Sequence, residues 1–201
     1  MLGYLIRHPG GLVLLDTGMG AHPDVDAHYR PHRIGLAAAL AAAGSAVDEV
    51  TTVVNCHLHF DHCGSNPDLA GRPILVQAEE LAEARGADYT LLGLVDFPGA
   101  AYEEITGDAE IGRGVHVVPT PGHTRGHQSV VVRRTDGTVV VLAGQSHDTA
   151  SDFSADALAV RAAADGHGPP LPVPPGWVER LLAMDPRRVY FAHDHAIWTP
   201  G

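Results

Sequence analysis

The stretch Thr51-Thr52-Val53-Val54-Asn55-Cys56-His57-Leu58-His59-Phe60-Asp61-His62 places three imidazoles and a carboxylate within six residues, directly after an apolar run. Imidazole and carboxylate are donors that a borderline divalent cation such as zinc takes. Alternate residues leaving a strand end can aim His57 and His59 at one point, with Asp61 and His62 facing a neighbouring point. The bland alternative is a solvated histidine-rich loop, which leaves four ligating groups at this density unexplained.

A metal needs further ligands, and two other stretches offer them. Thr120-Pro121-Gly122-His123-Thr124-Arg125-Gly126-His127 follows the strand-like run Val115–Val118, and a tight Pro-Gly turn would present His123. Tyr190-Phe191-Ala192-His193-Asp194-His195 again closes an apolar run with imidazole. Three strand ends finishing in histidine point to a single metal centre.

Together these stretches resemble the metallo-β-lactamase superfamily, with its HxHxDH signature, PGHTxGH-type loop and late histidine. Within it the N-acyl-homoserine lactone lactonase branch is most similar, on residues 58–66, 120–129 and 191–194. An early Leu14-Leu15-Asp16-Thr17-Gly18 extends the likeness to roughly residues 4–195. The resemblance implies an α/β (α+β) fold, the four-layer αββα sandwich of two mixed sheets with helices outside. Relatives carry further strand and loop before the first strand, so the chain is expected to be N-terminally short.

Carried onto matching positions, the resemblance makes His57, His59 and His123 ligands of one cation, and Asp61, His62 and His193 ligands of a second. Zinc is the expected cofactor, as one or two cations, with manganese, cobalt or iron as alternatives. An open coordination position lowers the pKa of water to about 7, which provides hydroxide at neutral pH. Asp61 would double as the catalytic group, orienting the hydroxide or shuttling a proton to the leaving alkoxide. Asp16 reads either as support for a ligand imidazole or as a plain turn aspartate, and His127 either as support or as an ordinary histidine. In the family an aspartate bridging both metals follows the strand equivalent to Val139–Leu142; here that position is Gln145, a neutral amide that cannot replace the anion. A family tyrosine near the lactone carbonyl is also missing, with Asp148 in its place.

Composition narrows the function. With 201 residues, 45% of them hydrophobic, one domain over 1–201 is expected. The net charge of −11 argues against nucleic acid and against an anionic membrane, leaving a small-molecule substrate as the expected partner. All 13 basic residues are arginine, so no lysine can serve as base or Schiff-base former. Cys56 and Cys63 form no disulfide framework, and they read as a metal ligand or as small buried residues. With no leader-like segment and no apolar run of membrane-spanning length, a soluble cytoplasmic protein is expected.

Patterning predicts a hairpin from Gly3–His8 and Leu12–Leu15, a helix over Ile34–Ala43 and a strand at Ile74–Val76. It continues with a helix over Ala78–Arg85, a hairpin of Val130–Val132 with Val139–Leu142 turned by Asp136-Gly137, and a proline-rich loop from Asp165 to Gly176. A helix over Trp177–Met184 and a strand at Val189–Phe191 close it. The function that fits is a metal-dependent hydrolase opening lactone or ester bonds, with N-acyl-homoserine lactone the first substrate to consider. Two rivals remain: a glyoxalase II-like thioesterase, and a metal-binding module whose catalysis is weakened by Gln145.

Overall fold

Valine- and leucine-rich runs bounded by glycine or proline form the strands, and alanine-rich segments form most helices. The computed structural model describes residues 1–168 and 172–201, in two compact units, Met1–Thr106 and Gly107–Gly201.

The first unit runs β1 (Tyr4–His8), β2 (Gly11–Leu15), α1 (Pro23–Tyr29), α2 (Leu36–Ala42), β3 (Val50–Val54), α3 (Phe60–Cys63), β4 (Pro73–Gln77), α4 (Ala78–Ala84), α5 (Leu92–Val95) and β5 (Ala101–Ile105). Its sheet has the order β1-β2-β3-β4-β5. Only the β1–β2 hairpin is antiparallel; the later pairs are parallel. Parallel pairing puts the C-terminal ends of β2, β3 and β4 along one edge, where open α/β sheets place their chemistry. Leu36 and Leu40, one helical turn apart on α2, pack against Leu12, Leu14, Val50 and Val53. Each such burial stabilises by roughly 1.5–3 kcal/mol. Leu58 lies in a second cluster with Val76, Leu81 and Val95, so the residue between His57 and His59 anchors their loop.

The second unit runs β6 (Ala109–Gly112), β7 (Val115–Pro119), β8 (Gln128–Arg133), β9 (Val139–Leu142), α6 (Ala150–Ala164), α7 (Gly176–Ala183) and β10 (Pro186–Tyr190). Its sheet order is β10-β9-β8-β7-β6, antiparallel except for the parallel β10–β9 pair. Phe153, Trp177, Leu181, Phe191 and Trp198 fill its core against Val139 and Val141. Gly137, at φ +84°, turns the β8–β9 hairpin, while the Thr138 N–H and hydroxyl both donate to Asp136 Oδ1.

The patterned elements appear with shifted ends: α7 begins and finishes one residue earlier than expected, and the last strand spans Pro186–Tyr190 rather than Val189–Phe191. Patterning does not find α1, α3, α5, β5, β6 or the 15-residue α6. Helix α6 packs Ala150, Phe153, Ala157 and Val160 into the second unit's core at helical spacing, and its many alanines add helix propensity. Its signal is a capping box: Thr149 Oγ1 accepts from Asp152 N–H at 3.2 Å, and the Asp152 carboxylate accepts from Thr149 N–H at 3.1 Å. Of the expected loop at Asp165–Gly176, residues 169–171 lie outside the described residues. Among the described residues no helix is long and apolar enough to cross a membrane.

Candidate metal centre

In the first unit the turn after β2 is laid against the turn after β3. Asp16 N–H donates to Val54 O at 2.9 Å. Asp16 sits at φ +59°, a left-handed conformation that aspartate tolerates better than most residues. From there its buried carboxylate accepts from Cys56 N–H at 2.9 Å, from the Cys56 thiol at 3.0 Å and from His62 Nδ1–H at 2.9 Å. Thr17 N–H and Asn55 Nδ2 both donate to His62 O, and the Thr17 hydroxyl donates to Asn66 Oδ1. The next turn of chain needs two glycines: a Cβ on Gly20 would stand 1.7 Å from Gly64 O, and one on Gly64 2.1 Å from Gly20 N. The backbones of the two loops therefore touch directly.

The imidazoles are thus held by backbone as well as by side chains. His57 Nε2 stands 3.0 Å from His59 Nδ1. Two ligands on one zinc, each at about 2.0–2.1 Å in near-tetrahedral geometry, lie about 3.3 Å apart, so this pair fits a shared cation. Asp61 Oδ2 stands 3.5 Å from His62 Nε2 and fits a second in the same way. His57 and His62 are buried, whereas His59 and Asp61 are half-buried and reach the surface.

A second buried carboxylate braces the loop from the β4 side. Glu80 Oε1 accepts from Leu58 N–H at 2.7 Å and from the Tyr89 hydroxyl, and the Tyr89 ring lies 4.8 Å from that of His59. Glu80 carries no sequence signal, since it is one carboxylate among several in an alanine- and glutamate-rich helix. Burial pushes the Cys63 thiol well above its ordinary range, so it remains an S–H that donates to Leu58 O. Asp16, Cys56 and His62 also form a compact buried trio, with ligand atoms within 4.8 Å of one another.

In the second unit His123 is exposed on a turn closed by Gly122 N–H donating to Thr124 O at 3.0 Å. Trp177 Nε1–H donates to Pro121 O at 2.8 Å and pins that turn. His127 is buried. Its Nε2 accepts from Gln145 N–H at 3.0 Å, which leaves Nδ1–H to donate to Thr120, whose hydroxyl is 2.8 Å away. His127 thereby links the His123 loop to the Gln145 turn. The Gln145 amide donates to Asp148 Oδ1 at 3.1 Å. Ala192 N–H donates to Gly144 O at 2.8 Å, which sets the loop carrying His193, exposed, beside that turn.

Asp194 fixes the far side of the His193 loop by accepting from Ala150 N–H at 2.8 Å and Ala196 N–H at 2.9 Å. Those backbone donors, Ala150 foremost, hold its carboxyl below the ordinary aspartate range. His147 turns away into an aromatic box of Phe153, Trp177 and Phe191, with Nε2 3.2 Å from Asp156 Oδ2.

The family model described as metallo-beta-lactamase superfamily matches residues 3–193. An N-acyl homoserine lactonase of Bacillus cereus is 28% identical over 166 residues, covering 75% of this chain and 65% of its own length. The chain therefore spans less than two thirds of that relative. A probable metallo-hydrolase of Mycobacterium tuberculosis is 32% identical over 164 residues, covering 64% of this chain and 51% of its own length. A crystal structure of a quorum-quenching N-acyl homoserine lactone lactonase matches with TM-score 0.75 and 26% identity, covering 96% of this chain and 79% of that one.

Proposed function

This chain belongs to the metallo-β-lactamase superfamily and has its αββα sandwich fold, and from that premise we propose that it is a metal-dependent hydrolase opening lactone or carboxylic ester bonds, with N-acyl-homoserine lactones as the first substrate class. The observation that carries the reading is the 3.0 Å approach of His57 Nε2 to His59 Nδ1, two nitrogen donors preset for one cation. In this proposal His123 completes that set, while Asp61, His62 and His193 hold a second cation.

A bound divalent cation, zinc foremost, supplies Lewis acidity and a water acidified to a pKa of about 7. The protein's own groups do the rest. Asp61, half-buried beside His62, takes the proton of the attacking water and returns it to the leaving alkoxide. Asp16 and Glu80 hold the histidine loop from opposite sides, so its donors need no rearrangement on binding. The Asp16–Gly18 turn also lines an apolar cavity of about 490 Å³ with Leu5, Leu14, Met19 and Leu40, room for an acyl tail. A net charge of −11 disfavours polyanionic substrates.

A second reading, a metal-binding module with weakened catalysis, draws on Gln145, whose neutral amide is engaged by Asp148. Side-by-side assay of a γ-lactone, a thioester and a bis-aryl phosphate, before and after exhaustive chelation and with zinc restored, tests the proposal. Faster lactone opening that needs the cation is the expected result. Chelator-resistant turnover, or a phosphate cleaved faster than the lactone, would overturn it.

A further inference from the structure

Cys56 is fully buried, and its sulfur meets both ligand pairs from behind. Sγ lies 3.2 Å from His57 Nδ1 and 3.3 Å from His62 Nδ1. The opposite ring nitrogens of the same residues face His59 and Asp61. We propose that Cys56 is a positioning residue: its thiol donates to Asp16 and its sulfur accepts from His57, which locks the imidazoles of His57 and His62 to one buried carboxylate as a single unit.

Counting donors gives the arrangement. Asp16 Oδ1 takes Cys56 N–H, and Oδ2 takes both the thiol and His62 Nδ1–H. With its proton committed to Asp16, the sulfur offers His57 only lone pairs. His57 therefore carries its proton on Nδ1 and presents a bare Nε2 towards His59. That is the tautomer a cation ligand needs, set by the hydrogen bond on the far side of the ring. A hydroxyl at position 56 would keep both contacts. A methyl would keep neither, and His57 Nδ1–H would lose the sulfur acceptor that holds its tautomer.

The inference rests on the metal-hydrolase reading, and the test separates the two. In the metal-free protein, long-range nitrogen–proton NMR reads the His57 tautomer directly. Nδ1–H is expected in the natural chain and in Cys56→Ser, and a mixed or Nε2–H population in Cys56→Ala. Loading with cobalt, read by competition against a chromophoric chelator, should show affinity reduced roughly 10- to 100-fold in Cys56→Ala and largely restored in Cys56→Ser.

A His57 Nε2–H tautomer in the natural chain would overturn the proposal, and that measurement stands whether or not the alanine variant folds. Unchanged cobalt affinity in Cys56→Ala would overturn it too. A sulfur-to-cobalt charge-transfer band that vanishes in Cys56→Ser would also overturn it, because the thiolate would then be a ligand itself. A natural chain that binds no cation but shows the Nδ1–H tautomer would sink the hydrolase reading and leave this positioning role standing.

Discussion

Asp16 Oδ2 accepts a hydrogen bond from His62 Nδ1 at 2.9 Å, with both side chains essentially removed from solvent. The contact joins the turn after β2 to the histidine loop 46 residues later, across two parallel strand ends. Such carboxylate–imidazole pairs fix ring orientation and tautomer.

Asp16→Asn follows as the first prediction. An amide offers one acceptor oxygen and two donors, whereas three donors converge on the native carboxylate, so at least one N–H must face another N–H or S–H. We expect cation affinity to fall by about 10- to 100-fold, and stability by about 1–3 kcal/mol from the unmet buried donor. Metal titration and urea unfolding of the two proteins measure both; equal affinity would show that Asp16 is only a turn residue.

His59→Ala separates chemistry from folding. His59 is half-buried, and its ring lies against His57 and Tyr89 rather than in the strand core. Cation-dependent lactone opening should drop by at least about 100-fold, the scale of losing a directly acting group, while the metal-free protein melts within a few degrees of its parent. Retained turnover would end the ligand assignment of this residue.

Glu80→Ala and Glu80→Gln form a matched pair. Removing the carboxylate leaves Leu58 N–H buried without its acceptor, a cost of about 1–3 kcal/mol, and frees the Tyr89 ring that lies against His59. Glutamine keeps an acceptor oxygen and should recover most of the loss in urea unfolding. Equal destabilisation by both would mean that the negative charge matters rather than the hydrogen bond.

Much of this arrangement is legible in the sequence and part of it is not. Most strands are, the polar β5 and β6 excepted, because Val53, Val54 and Val139–Leu142 sit in runs punctuated by glycine, proline or a turn pair. So are His57, His59, Asp61 and His62, since donors packed along one short segment are read without any tertiary knowledge. Glu80 and Cys56 are not, because their partners lie 22 and 40 residues away in sequence and meet them only through parallel pairing. Helix α6 escapes because exposed Leu158, Ala155, Ala163 and Ala164 blur the period of its buried stripe Ala150, Phe153 and Ala157.

Asp194 gives a pH-dependent prediction. Its carboxyl is held below the ordinary aspartate value of 3.8 by Ala150 N–H first and Ala196 N–H next. A depressed folded-state pKa contributes stability that is fully present above the unfolded value and is lost as pH falls through the folded one. The difference in melting temperature between the natural chain and Asp194→Asn should be constant above about pH 5 and shrink as pH drops below the ordinary aspartate range. A difference independent of pH down to acid unfolding would remove the carboxylate's role in anchoring the His193 loop.

Gln145→Asp is the most discriminating change. The Gln145 backbone N–H donates to His127 Nε2 and its amide to Asp148, so the backbone anchor survives the substitution while the amide contact is exchanged for carboxylate repulsion. That repulsion turns the new carboxylate away from Asp148, which frees it to act as a ligand. In two-metal sites the cations lie about 3.5–4 Å apart, so an anion between them screens their repulsion. With a neutral amide at this position, the natural chain should hold one cation firmly and a second weakly. The aspartate variant should hold close to two after dialysis and, if the second cation stabilises the oxyanion, turn over lactone faster. Two firmly held equivalents in the natural chain, unchanged by the substitution, would show that the Gln145 amide oxygen or the neighbouring Asp148 already supplies the missing ligand.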